Sequence, residues 1–144
     1  MADHNLLRGN RFSDERGVLN FFNSFDMGKV VRLYEIVPSS IETIRAWQGH
    51  KEEKKWFYCN SGGFIVNLIK LDNFERPSED LIPFRFELFA TEPTVLEVQG
   101  GYATGFKATV AGSKLLVFSN FSVDESKEDD FRYPINQWSA NWQN

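Results

Sequence analysis

The stretch VVRLYEIV, residues 30–37, alternates its side chains between two faces, and the same period of two returns through most of the chain. Such alternation marks an extended strand whose faces meet different surroundings. One face of this run carries Val31, Leu33 and Glu35; the other carries Val30, Arg32, Tyr34 and Ile36. The same reading predicts strands over residues 54–59, 64–71, 84–90, 94–98, 102–110 and 113–120. Asn60, Ser61, Gly62 and Gly63 supply one turn, and Ala111 with Gly112 another. Residues 72–83 are charged and contain Pro77 and Pro83, which reads as a loop. No run shows helical periodicity for more than a few residues. About eight short strands in one small chain point to an antiparallel sandwich or barrel, with immunoglobulin-like and lipocalin-like forms open on pattern alone.

A chain of 144 residues fits one domain, residues 1–144. That length buries roughly two-thirds of the surface its unfolded form exposes. Aromatic residues make up 15% of it, with 14 phenylalanines, which favours pleated, half-buried surfaces. The net charge of −4 excludes a global basic field for nucleic acid or an anionic membrane. An anionic ligand must then be held by a local group of Arg and Lys. Cys59 is the only cysteine, so no internal disulfide forms, which suits a reducing cytosol. No apolar run approaches the roughly 20 residues of a membrane helix. The N-terminus is too polar for a signal peptide, and a cytoplasmic protein is the expectation. Residues 124–144 break the pattern. They are acidic, then aromatic, with Trp138 and Trp142 four apart, and read as a covering tail at one end of the sheet.

The stretch IRAWQGHKEEKKWFYCNSGG, residues 44–63, concentrates the polar chemistry. Alternation puts Lys55, Phe57 and Cys59 on one face and Lys54, Trp56 and Tyr58 on the other. At most one of the adjacent lysines can point inwards, and Lys55 is the expected one. Buried without an anionic partner it would cost several kcal/mol; a phosphate or an enolate would satisfy it. The plain readings are a surface histidine at 50, a solvated charged turn at 51–55, and packing roles for Tyr34, Trp47 and Tyr102. Cys59 is expected to be buried and inert.

In order, DERG (14–17), RLYEI (32–36), IRAWQGHK (44–51), KWFYCNSGG (55–63), GGYATGF (100–106) and FSNFSVDESKEDDFRYP (118–134) resemble the nucleotide-sugar cupins. These are the dTDP-4-dehydrorhamnose 3,5-epimerases and the dTDP-4-keto-6-deoxyhexose 3,4-ketoisomerases. The resemblance runs from about residue 14 to 138, and the chain length and tail lean to the ketoisomerase branch. It implies an all-β cupin jelly-roll barrel, a homodimer that exchanges N-terminal strands, and a site inside the barrel without metal or other cofactor. The implied partner is a dTDP-linked sugar, and the implied chemistry is proton transfer beside a sugar carbonyl.

The resemblance implies His50 as base, Tyr34 as a possible acid, and Lys55 and Arg45 as electrostatic stabilisers. Arg16 would hold phosphate across the dimer, while Gln48, Tyr102 and Thr104 complete the substrate contacts. The departures matter. Gln48 stands where the family has its titratable histidine, Thr104 replaces a second histidine, and Phe118 is expected at the place of the family's tyrosine acid. The four positions that bind metal in other cupins read Gln48, His50, Lys55 and Thr104, so no catalytic metal is expected. An isomerase or epimerase is the leading reading. A cupin that binds a nucleotide sugar without turnover is the second, and an interaction barrel with a phenylalanine-lined hollow the third.

Overall fold

The computed structural model describes residues 4–144; the first three residues of the expected domain lie outside that range. Two five-stranded antiparallel sheets face each other. The first runs in the order β1 (His4–Arg8), β9 (Thr94–Val98), β6 (Lys55–Ser61), β11 (Lys114–Ser119), β4 (Arg32–Ile36). The second runs β12 (Phe131–Arg132), β5 (Ile44–His50), β10 (Tyr102–Ala108), β7 (Gly63–Lys70), β8 (Phe84–Phe89). A separate hairpin joins β2 (Asn10–Asp14) to β3 (Gly17–Phe21). The all-β cupin-type jelly roll expected from the sequence is the fold observed.

Side-chain alternation explains the inner core. Phe57, Phe64, Val66, Leu68, Leu96, Phe106, Leu115 and Val117 meet between the sheets. The run FIVNLI in β7 is buried throughout because its outer face is covered as well. There Trp47, Ile69 and Ala103 form a second apolar layer with Trp138 and Trp142 of the tail. The two tail tryptophans reach Trp47 from extended backbone and a single 3₁₀ turn at Ile135–Gln137, not from one helical face.

Four departures from the expected pattern have physical causes. The strands β1 to β3 and β5 lack clean alternation and were not among those predicted. A short helix, α1 (Val123–Lys127), was not expected either. Its signal is a capping box, in which Ser122 accepts from the Glu125 amide while the Glu125 carboxylate accepts from the Ser122 amide. The turn after β6 narrows to Gly62 alone, at φ +70°, where an added Cβ would run into Ser113 Oγ. Lastly, the register between β5 and β10 slips by one residue: Thr104 faces Gln48, but Gly105 faces Ala46.

That slip decides which side chains enter the barrel. Trp47 is left as the extra residue and turns to the outer layer. Arg45, opposite the inward Phe106, and Gln48, opposite Thr104, then share the inner face. Uninterrupted alternation would have set them on opposite faces.

Candidate functional site

Between the sheets, at the end where β4, β5, β6 and β12 meet, lies a cavity of about 450 Å³. Phe57, Phe106, Ile36 and Ile44 supply its apolar wall. Tyr34, Arg45, Gln48, Lys55, Thr104 and Arg132 supply its polar groups. Of the expected site residues, the cavity thus gathers Tyr34, Arg45, Gln48, Lys55 and Thr104. His50, Tyr102 and Arg16 are not in its wall. Arg132 was not anticipated. Its two-residue strand pairs with the edge of β5, a placement that no local alternation announces.

Lys55 is the inward lysine, only 4% exposed, while Lys54 is half-buried beside Trp56 and Glu97. Its ammonium donates a long hydrogen bond to Gln48 Oε1 at 3.4 Å and lies 4.0 Å from Glu53 Oε2. It also stands 5.7 Å from the centre of the Tyr34 ring, whose other cationic neighbour is the Arg32 guanidinium at 5.1 Å. Burial pulls the Lys55 pKa down to about 8, against the attraction of Glu53 and with the repulsion of Arg32. Burial likewise pushes the Tyr34 phenol up to about 12, so Tyr34 keeps its proton as a hydrogen-bond donor.

Behind this wall sits a polar network that the sequence did not reveal. Glu53 is fully enclosed, with its carboxylate accepting from Ser119 at 2.6 Å, Ser126 at 2.7 Å and Arg32 at 2.9 Å. Burial works to raise its pKa, but the two hydroxyls and the charge on Lys55 outweigh that and hold it below the usual range. Asp129 accepts the backbone N–H groups of Lys51, Glu52 and Glu53 at 2.7, 2.8 and 2.9 Å, which fixes the loop joining β5 to β6. Lys51 and Glu52 on this loop are themselves exposed, so nothing local in the run singles out Glu53 as the enclosed carboxylate.

His50 belongs to this network. Its Nδ1 lies 2.6 Å from the Asp129 carbonyl, which makes Nδ1 the protonated nitrogen and leaves Nε2 with a lone pair. Nε2 is buried and has no hydrogen-bond partner among the described residues. Burial, then the nearby Lys55, lower the His50 pKa, so the ring is neutral at pH 7. Tyr102 is a core ring whose hydroxyl contacts His4 Nδ1 at 2.9 Å. Arg16 sits at the tip of the β2–β3 hairpin, ion-paired with Asp14 at 2.7 Å.

One expected equivalence is corrected. Phe118 pairs with Leu33 and Trp56 and packs against Phe25, away from the cavity; the residue opposite Tyr34 is Val117. Phe118 therefore does not occupy the place of a cavity phenol, and Tyr34 is the tyrosine that faces the cavity together with the half-buried Tyr133. Nor is the hollow lined wholly by phenylalanine, as the interaction-barrel reading required. Among the described residues no three His, Cys, Asp or Glu side chains gather at metal-binding range.

A buried ammonium with a depressed pKa destabilises the folded state wherever the unfolded lysine is still protonated. Replacing it by an apolar chain of similar length, Lys55→Met, should therefore raise the midpoint of thermal unfolding at pH 7 by a few degrees. The gain should shrink as pH rises from about 8 towards 10.5, because the wild-type amine then sheds its proton only in the folded chain. Calorimetric scans of both proteins across that range check this.

No family model and no curated protein sequence matches the chain. Solved structures do match in fold. QdtA, a sugar 3,4-ketoisomerase from Thermoanaerobacterium thermosaccharolyticum in complex with TDP, is 19% identical with a TM-score of 0.71, covering 91% of this chain and 88% of its own. The TDP-quinovose 3,4-ketoisomerase WlaRB from Campylobacter jejuni is 20% identical with a TM-score of 0.68, covering 92% and 95%. The dTDP-4-dehydrorhamnose 3,5-epimerase from Bacillus anthracis, with TDP and PPi bound, is 20% identical with a TM-score of 0.73, covering 93% and 80%. The chain has the fold that these sugar-nucleotide ketoisomerases and epimerases share.

Proposed function

We propose that this cavity binds a dTDP-linked 4-keto-6-deoxyhexose and moves a proton at a carbon beside the sugar carbonyl, as an isomerase or epimerase without a metal. One observation carries the reading: among the described residues the cavity wall holds three cations, Lys55, Arg45 and Arg132, and no carboxylate. Guanidinium groups at the exposed side suit a diphosphate, which they can grip with paired hydrogen bonds. Lys55, in the enclosed depth, suits a carbonyl oxygen that gains negative charge in the transition state. The apolar wall suits the deoxygenated edge of the sugar. TDP in the fold neighbours supports the choice of nucleotide.

The hairpin carries the partner reading. Phe12, Val18 and Leu19 are 50–59% exposed there, which is costly on a lone monomer and fitting for a homodimer that exchanges its hairpins. Arg16, at the hairpin tip, would then reach the partner's nucleotide. The proposed setting is the cytoplasm, where Cys59 stays a free, buried thiol.

A binder without turnover is the second reading, favoured by the two non-titrating residues Gln48 and Thr104 in the wall. Proton exchange separates the two. Wild-type protein incubated with the 4-keto sugar nucleotide in deuterium oxide should place label on the carbon skeleton, while binding with no label would leave only the binder. Calorimetric titration with dTDP should show saturable binding that Arg45→Ala weakens about tenfold or more. Leu19→Asp should convert a dimer to a monomer in light scattering, with the β-sheet circular dichroism kept.

A further inference from the structure

We propose that Lys55 is itself the proton acceptor of this site: its Nζ takes the proton from the carbon beside the carbonyl, and Glu53, with His50 Nδ1 3.5 Å from its other oxygen, positions it from behind the wall. This rests on the isomerase reading and goes beyond its electrostatic role for Lys55.

The first ground is elimination among the groups that reach the cavity. A guanidinium is a donor without acceptor capacity, which removes Arg45 and Arg132, and Gln48 and Thr104 carry no titratable group. Tyr34 holds its proton up to about pH 12. Tyr133 donates its hydroxyl to the Phe74 carbonyl at 2.7 Å and is engaged away from the cavity. His50 has a free lone pair but no place in the wall. Among the described residues, only the amine of Lys55 both faces the substrate space and changes protonation near neutral pH.

The second ground is how that amine is held. Of its three N–H directions, one makes the 3.4 Å contact to Gln48, and Glu53 stands back at 4.0 Å. Glu53 is already saturated by Ser119, Ser126 and Arg32, so it steadies the ammonium without gripping it. The remaining titratable and charged neighbours act through space. From β4 Arg32 opposes the charge, from the tail Asp130 favours it and Arg132 opposes it, and from β5 His50 is a neutral ring. The balance leaves a neutral amine within reach near pH 8.

The step balances without a co-reactant. The C–H electron pair forms a C=C bond, the carbonyl oxygen becomes an enolate, and the proton converts the amine to ammonium beside that oxygen. For epimerisation a second donor is needed: the Tyr34 phenol in the same wall protonates the opposite face of that carbon, and exchange with solvent then restores the phenol and the free amine. For ketoisomerisation the ammonium instead returns its proton to the former carbonyl carbon while the hydroxyl proton passes between the two oxygens.

The test follows deuterium incorporation from solvent into dTDP-4-keto-6-deoxyglucose, with dTDP titrated calorimetrically against the same proteins. Lys55→Arg keeps a cation for the phosphate and the oxygen but cannot accept a proton. It should bind dTDP within a few-fold of wild type and lose incorporation by about 10³-fold. Lys55→Met is run beside it, so that a misfit of the larger guanidinium is not mistaken for lost chemistry; it too should bind dTDP and exchange nothing. His50→Gln should keep at least about a tenth of the wild-type rate, as expected of a positioning residue. Wild-type incorporation should rise with pH through about 8 and then level off. Incorporation surviving in Lys55→Arg, or abolished equally in His50→Gln, overturns the assignment while leaving the isomerase reading standing. A wild type that binds dTDP yet exchanges no proton overturns both.

Discussion

A carboxylate with almost no water around it ties this barrel together at its open end. Glu53 draws Ser119 from β11, Ser126 from α1 and Arg32 from β4 onto one pair of oxygens, and sets Lys55 of β6 within 4.0 Å. A buried charge left without partners costs several kcal/mol, so these elements are held where the Glu53 carboxylate is paired. The tail must fold back for this to happen, because Ser126 and Asp129 both come from it. Its role is therefore polar as much as apolar. Trp138 and Trp142 cover the outer sheet, while the acidic stretch before them closes the network beneath the cavity.

The same network sets the electrostatics of the cavity. Glu53 and Asp129 turn their oxygens inwards to hydroxyls, a guanidinium and backbone amides, and neither lines the hollow. The cavity is thus left with positive charge and an apolar wall. Tyr34 lies within cation–π range of both Arg32 and Lys55, an arrangement that orients the ring without drawing off its proton.

Much of this was legible in the sequence, and the limits have physical origins. Alternation located the central strands to within a residue or two at most ends, since one face of each is buried and register is then strongly specified. It also allowed only one of Lys54 and Lys55 to point inwards, and the resemblance named Lys55. It failed where a strand's faces are not distinct, as in the exposed β2 and β3, or where the period is interrupted. The slipped register at Trp47 is the clearest case: Arg45 and Gln48 share a face only because one residue was passed over. Glu53 and Asp129 stayed hidden for another reason. In KEEKK and SKEDD they look like their solvated neighbours, and only the tertiary fold decides which carboxylate is enclosed. Phe118 proved to lie on the outer face of its strand, against Phe25 rather than in the cavity, a facing that the local sequence did not announce.

Gln48 has a particular bearing on Lys55 in this setting. An imidazole there would compete with Lys55 for a proton, and a carboxylate would bind the ammonium and raise its pKa out of the working range. A neutral amide does neither. Gln48 Oε1 accepts from the amine while Gln48 Nε2 donates to Asp130 at 3.1 Å, so its orientation is fixed from outside the cavity. That contact holds Nζ in place in either protonation state, because a neutral amine donates to the same oxygen.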